Sequence, residues 1–475
     1  MTADRQSRKH THDRRCVSLC SAGLVTMALL LAAAPARAQE ERLSAPSLPD
    51  STADEAPPAG QDRVQTLEER INELNERMRE SDEARQKSVS PLSWNGYVDF
   101  GFFVPFGNRG AGWVRDVGNV QFPQYSGYSW TFLGDILGTM INTRGEVADL
   151  GDAPDAPRFD SVNSDGAASF ILNEINLRPR FQLSERAIMR ASINFVPRTG
   201  NDFALGDFVD ADLGELEYLL TADGKTSLFV GKMMPVIGIE YKDRKSDQRF
   251  GITPSLIARY TTGSQLGFKV RSKLLDDWLI LAAAVTNNSS TWEMFHFYNE
   301  IDKNNGKTLN GRAAVSIPVG RLYRADDRLE LGISGEYGPQ DRATDNNGKM
   351  WFAGLDLQYL GVNFAVKGQL LQGKSPGRAD QGVWGLDLKT SGYLEIDWQL
   401  LSRFGLIVRG EFRDAIVTLG TERIYITKEA RFTGGFRVVV NPHMVVKAEY
   451  LHNEEYGGIA EFDNDIATSS MVLAF

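Results

Sequence analysis

From Ser93 to Phe475 the chain is built of short runs that put apolar side chains on one parity and charged or polar ones on the other, without a helical period. Leu266, Phe268, Val270 and Leu274 alternate with Gln265, Lys269, Arg271 and Lys273; Leu406, Val408 and Phe412 alternate with Arg409, Glu411 and Arg413. Period two marks a strand with two unlike faces. A soluble sandwich alternates too, but it packs its apolar faces into one core and turns its polar faces to bulk water. Here nearly every polar face carries charge, which suits a wet interior wrapped by lipid. Sixteen strands are expected, near residues 93–104, 169–183, 186–197, 212–222, 225–234, 264–275, 277–287, 310–319, 328–338, 349–360, 361–372, 382–400, 404–414, 430–441, 443–453 and 466–475. The expected fold is all-β: a transmembrane antiparallel β-barrel over residues 93–475, wide enough at sixteen strands to hold an aqueous channel.

Connection lengths point the same way. With the N-terminus taken as periplasmic, short turns fall at Ser184-Glu185, 222–224, Asp276, 320–327, 360–361, 401–403 and Asn441-Pro442. Longer connections alternate with them at 105–168, 198–211, 235–263, 288–309, 415–429 and 454–465. Short turns on one side and long loops on the other is the asymmetry of outer-membrane barrels, and an even strand count returns the C-terminus to the periplasm. Trp94, Trp278, Trp351, Tyr359, Trp398 and Tyr450 stand near strand ends, where interfacial aromatic girdles form. The last strand sets Met471, Leu473 and Phe475 on one face and so resembles the closing strand that the outer-membrane assembly machinery reads as a signal.

The N-terminal region reads as export and tethering. Residues 1–38 combine a basic start, the mostly apolar stretch 17–34 and Ala36-Arg37-Ala38, the pattern of a cleaved signal peptide. Removing its six Lys or Arg and two Asp takes the net charge from −10 to −14, which argues against nucleic acid as a partner. Both cysteines, Cys16 and Cys20, leave with it, so no disulfide, thiol nucleophile or Cys-bound metal is expected in the exported chain. Residues 39–60 read as a disordered periplasmic leader, rich in Pro, Ala, Ser and acidic residues. In residues 61–87, Val64, Leu67, Ile71, Leu74 and Met78 are spaced 3, 4, 3 and 4, a heptad seam. Two and a half heptads are marginal alone, but three barrels held together would bring three such helices into a trimeric coiled coil. The competing arrangement is one amphipathic helix on the barrel mouth.

A basic stretch stands out in this acidic chain. Residues 235–263 carry Lys242, Arg244, Lys245, Arg249 and Arg259 against Glu240, Asp243 and Asp247. The run Gly231 to Glu240, this charged segment, Arg259-Tyr260 and the strand from Gln265 to Lys273 together resemble the middle of the phosphate-selective porin family, which includes anion and dicarboxylate channels. The resemblance implies a trimer of sixteen-stranded barrels and an inward-folding loop after the fifth strand, with inward Arg and Lys that pass anions. Arg244, Arg249, Arg259, Lys269 and Arg271 match those positions, and a basic constriction in a low-dielectric wall favours anions. The wall departs from a purely basic one. Arg178, Arg180, Arg190, Lys273, Arg409 and Arg413 are interleaved with Glu174, Glu215, Glu217, Glu395, Asp397 and Glu411, which favours a mildly anion-preferring or near-nonspecific pore over strict phosphate selectivity.

The expected function is passive diffusion of small hydrophilic, preferably anionic, solutes across the bacterial outer membrane, with membrane lipid, lipopolysaccharide and two further copies of the chain as partners. The alternatives are a poorly conducting tether and a barrel-embedded hydrolase. His296, His443 and His452 are the histidines beyond the signal, and none sits in a triad-like pattern, so no enzyme and no cofactor are expected. Asp149, Asp152, Asp155, Asp160 and Asp165 lack calcium-loop spacing, so no metal site is expected, and the segment 146–166 reads as a hydrated acidic loop.

Overall fold

The computed structural model describes residues 91–106, 114–116, 161–163, 168–195, 209–287, 289–290, 303–319, 327–340, 343–383, 385–419, 422–456 and 465–475. The expected signal peptide, leader and heptad seam, and the five aspartates of segment 146–166, lie outside them.

Among the described residues, sixteen strands form one closed antiparallel barrel. They are β1 (Leu92–Phe106), β2 (Ser169–Ser184), β3 (Ala187–Phe195), β4 (Val209–Leu219), β5 (Thr226–Met233), β6 (Gln265–Leu274), β7 (Leu279–Thr286) and β8 (Thr308–Pro318). The second half is β9 (Arg328–Pro339), β10 (Lys349–Leu360), β11 (Phe364–Ser375), β12 (Gly385–Leu401), β13 (Phe404–Leu419), β14 (Glu422–Asn441), β15 (Met444–Glu455) and β16 (Asp465–Ala474). Each strand pairs with its chain neighbours, and β1 pairs with β16 from Tyr97 opposite Ala474 to Phe106 opposite Asp465. The seam extends to the last residue: Phe475 N–H donates to the Gly96 carbonyl at 3.0 Å, and Gly96 N–H donates to the Phe475 carbonyl at 3.1 Å. A separate ribbon pairs Val114–Asp116 with Ser161–Asn163.

Burial is inverted relative to a soluble protein. Phe268 and Ile333 are 60% exposed and Leu355 is 56% exposed, whereas Arg409 and Arg413 are 1% exposed and Asp356 5%. On most strands the apolar parity faces outward and the charged parity inward, as the alternation predicts, while β7 and β16 turn uncharged residues such as Ala284, Thr286, Thr468 and Ser470 inward. Short turns gather on the rim that also carries Leu92 and Phe475. Trp94, Trp278 and Trp398 lie toward that rim, and Trp351 and Tyr450 toward the other, all exposed.

The structure adjusts the sequence reading in two places. The connection expected at 415–429 is mostly sheet: Asp414 pairs with Lys428 and Ile416 with Ile426, and the ladder reaches Leu419 opposite Glu422. Ile416, Val417 and Thr418 on one strand and Ile424, Tyr425 and Ile426 on the other have the β-branched and aromatic character that sustains strands beyond the lipid-facing band. The turn expected at Asp276 runs through Leu275, Asp276 and Asp277 in left-handed conformation, with φ of 51°, 53° and 69°. Aspartate tolerates that region better than most residues, which is why two of the three are aspartates.

The barrel seam gives the first prediction. A Cβ on Gly96 would lie 2.2 Å from the Asn176 carbonyl oxygen and 2.8 Å from the Phe475 ring, so this position admits no side chain. Gly96→Val is expected to lower the temperature at which the folded barrel unfolds in a heat-modifiability gel and to reduce its level in the membrane. A wild-type melting profile would show that the seam tolerates the substitution.

Candidate functional site

The segment from residue 234 to 264 leaves β5, crosses the interior and returns to β6. Pro235 interrupts the ladder. Gly238 then turns the chain with φ +70°, and a Cβ there would lie 2.4 Å from the Gln369 amide. Gly238 N–H donates to Ser334 Oγ at 3.0 Å and Ile239 N–H to Gln369 Oε1 at 3.1 Å, placing this end of the loop against β9 and β11. A 3₁₀ turn at Glu240–Asp243 and one α-helical turn at Ala258–Thr261 are its regular elements. Val236, Ile237, Ile239, Ile252, Leu256 and Ile257 are buried, and Val236 packs with Phe229, Met233 and Ala284 of the wall.

The rest of the loop is fixed by charge. Arg244 reaches Asp212 on β4 at 2.6 Å and also donates to Thr262 O at 3.1 Å and Ser264 Oγ at 3.0 Å. Lys245 contacts Glu174 at 2.9 Å, Asp212 at 3.0 Å and Asn194 Oδ1 at 2.8 Å. Lys242 lies 3.3 Å from both Glu330 and Gln358. The loop's carboxylates meet wall cations in return: Asp247 pairs with Arg178, and Asp243 with Lys367 at 2.7 Å. Ser246 Oγ donates to Asp99 at 2.6 Å. Glu240 accepts from Ser255 N–H at 2.7 Å and Ser255 Oγ at 2.5 Å; enclosure inside the barrel nevertheless pushes its carboxyl up to about 7.

The candidate residues therefore divide. Arg244, Lys245 and Lys242 are paired with wall groups. Arg249 is 7% exposed, and its Nε and Nη1 have no hydrogen-bond partner among the described residues. The side chain of Arg259 lies outside the described residues. Arg178, Arg180, Lys269 and Arg271 line a cavity of about 660 Å³ between the loop and the β2–β6 wall, on the side of the short-turn rim. Lys273 is exposed beyond it on the same face of β6. Arg190, a residue of the mixed wall, joins the cavity lining and lies 2.6 Å from Glu217 and 3.4 Å from Glu215. Arg271, its side chain 46% exposed, is 3.4 Å from Glu217. Lys269 donates to Met234 O at 2.9 Å and sits 4.5 Å above the Phe229 ring, with Arg271 5.1 Å from the same ring. The lining holds six cationic side chains, Lys245 included, against Glu215, Glu217 and Asp247, so the space left open is net positive.

Sequence reasoning missed the residues that hold the loop: Asp212, Asp99, Lys447 and Glu449. All lie on the inward parity of their strands, which was legible, but nothing in the local sequence distinguishes an inward charge that meets the loop from one that meets water. Of the assembly residues, Met471 and Leu473 sit on β16 and Phe475 closes the seam to Gly96.

No protein-family model and no curated protein matches the chain. Similar solved structures include the outer-membrane channel DcaP of Acinetobacter baumannii, at 10% identity over 81% of this chain and 97% of that one, with a TM-score of 0.47. OprB of Pseudomonas putida matches at 11% identity over 80% of this chain and 94% of that one, TM-score 0.48. OmpF of Salmonella typhi, in complex with daunomycin, matches at 11% identity over 81% and 97%, TM-score 0.47.

Asp212 is the shared acceptor of two buried loop cations, which gives the second prediction. Breaking a buried pair from one side costs about 3–5 kcal/mol, because the abandoned charge stays out of water. Asp212→Asn is expected to leave the barrel inserted but to expose the loop near Arg244 and Lys245 to trypsin. Equal protease resistance in the variant and the wild type would show that Asp212 does not hold the loop.

Proposed function

We propose that this protein is a diffusion channel of the bacterial outer membrane that passes small hydrophilic solutes and prefers anions. The observation that carries this reading is the net-positive cavity between the inward loop and the β2–β6 wall, inside a barrel whose outer face is apolar. Sixteen strands enclose more space than side chains fill. The loop narrows that space, and guanidinium groups in a confined, low-dielectric passage raise the local concentration of anions. Arg180 and Arg271 are the natural determinants, since they face the cavity and Arg271 keeps nearly half of its side chain exposed. Arg244 and Lys245 act mainly in holding the loop, their charge being matched by Asp212 and Glu174 at contact distance. Glu215 and Glu217 temper the field, so the preference is mild, extending to phosphate and small dicarboxylates.

In this reading the short-turn rim faces the periplasm, where the leader and the helix over residues 61–87 lie, and the heptad seam Val64, Leu67, Ile71, Leu74 and Met78 joins three copies. Lipopolysaccharide surrounds the opposite rim, and the assembly machinery inserts the chain through its final strand.

The test is electrical. Purified protein in a planar bilayer under a KCl gradient should show stepwise current and a reversal potential on the anion-selective side. Arg180→Gln combined with Arg271→Gln should move that potential toward cation selectivity with the heat stability of the barrel unchanged. Absence of stepwise current would overturn the channel in favour of a tether, and an unmoved potential in the double variant would remove these arginines from the selectivity role.

A further inference from the structure

The loop segment 246–256 has almost no regular structure, yet its backbone is held by four charged side chains from two non-adjacent wall strands. Lys447 on β15, 2% exposed, donates to three carbonyls at once: Ser246 at 2.6 Å, Arg249 at 2.6 Å and Gly251 at 2.8 Å. Two residues along the same inward face, Glu449 accepts from Ile252 N–H at 2.5 Å, Thr253 N–H at 3.0 Å and Thr253 Oγ1 at 2.8 Å. On β13, Arg409 donates to Thr253 O at 2.8 Å, Thr253 Oγ1 at 2.8 Å and Pro254 O at 3.2 Å, while Glu411 accepts from Leu256 N–H at 2.6 Å. A positive side chain thus serves carbonyls and a negative one serves amides, each in a place where water is excluded. Such charge-assisted bonds are shorter and about twice as strong as neutral ones.

We propose that Lys447 and Glu449, together with Arg409 and Glu411, are positioning residues that set the bore of the channel: they pin residues 246–256 to the β13–β15 wall, close that sector of the lumen, and confine solute to the cavity along β2–β6. The inference rests on the channel reading above. It follows from the asymmetry of the site. On the β13–β15 side the loop residues Ile252, Thr253, Ser255 and Leu256 are at most 4% exposed, so loop and wall are in direct contact. On the β2–β6 side the same loop leaves a cavity of about 660 Å³. Phe250 adds to the seal: Arg437 on β14 lies 4.7 Å above its ring, and a Cβ on Gly405 of β13 would come within 2.5 Å of its edge. Lys245 and Arg244 also tie the loop to Glu174 and Asp212 on the opposite wall, but among the described residues the wall groups that bind the backbone of 246–256 lie on the β13–β15 side, and the open space lies away from that backbone clamp.

The clamp is tested with Lys447→Met, which keeps an unbranched side chain one atom shorter and removes the three donated bonds, and with Glu449→Gln. Both variants should insert normally and show a larger unitary conductance and more open-state noise than the wild type in the same bilayers. A residue that merely stabilises the barrel would lower its unfolding temperature and leave the conductance of inserted channels unchanged. A second variant replaces the ionic clamp with a covalent one. No cysteine follows Cys20, and a Cβ on Gly251 would fall on the Glu449 carboxylate, so Gly251→Cys with Glu449→Cys places two thiols at the contact. Its conductance should be wild-type when oxidised and raised after reduction. Limited proteolysis of segment 246–256 reads loop release without current: a silent wild-type protein counts against the channel, whereas an uncleaved loop and unchanged conductance in Lys447→Met and Glu449→Gln overturn the clamp.

Discussion

Lipid offers no hydrogen bonds, and the architecture follows from that constraint. Every backbone N–H and C=O at membrane depth must be satisfied within the protein, and a sheet achieves this only by having no edge. The β1–β16 ladder is where this chain meets the requirement, and the pairing of Gly96 with Phe475 carries it to the final residue. Closure then fixes what the side chains can do. With the apolar parity facing lipid, the other parity of every strand points into one shared interior, and groups more than 300 residues apart, such as Asp99 and Ser470 at 2.5 Å, become neighbours.

An interior lined with charge is stable only if the charges are hydrated or paired, and here the inward loop divides the lumen into these two regimes. Against β13 and β15 water is excluded, and Lys447, Glu449, Arg409 and Glu411 find partners of opposite polarity in the carbonyls and amides of the loop. Along β2 to β6 the arginines keep partial exposure and a surplus of positive charge. The same residue types thus serve two ends. Arg409, at 1% exposure, is a fastening for the loop, whereas Arg271 retains an accessible guanidinium.

The barrel itself was legible in the sequence because period-two alternation is a local property: all sixteen strands overlap the segments that alternation predicts, and the charged parity of β6 and β13 is the inward one. The extension of the β13–β14 hairpin to Leu419 and Glu422 was not, because beyond Arg413 the interchange of apolar and charged residues gives way to runs such as Ala415-Ile416-Val417 in which period two does not show, while sheet pairing continues. The loop after β5 carries five basic residues, and from sequence they look alike. Arg244 and Lys245 turn out to be matched by Asp212, more than thirty residues upstream, a pairing that depends on where the loop comes to rest and that no periodicity encodes.

Net charge of a segment is consequently a poor guide to the field that a solute meets. A loop cation in contact with a wall carboxylate contributes a short-range dipole, and its influence falls off within a few ångströms. A wall cation with partial exposure and a distant or shared counter-charge projects into the passage. Glu217 illustrates the difference, since its carboxylate lies 2.6 Å from Arg190, which also meets Glu215 at 3.4 Å, while Arg271, 3.4 Å from the same Glu217, has only that shared and more distant counter-charge. The ratio of partners to charges on the open side of the loop, more than the count of basic residues in the loop, is what sets the sign of the field in the passage.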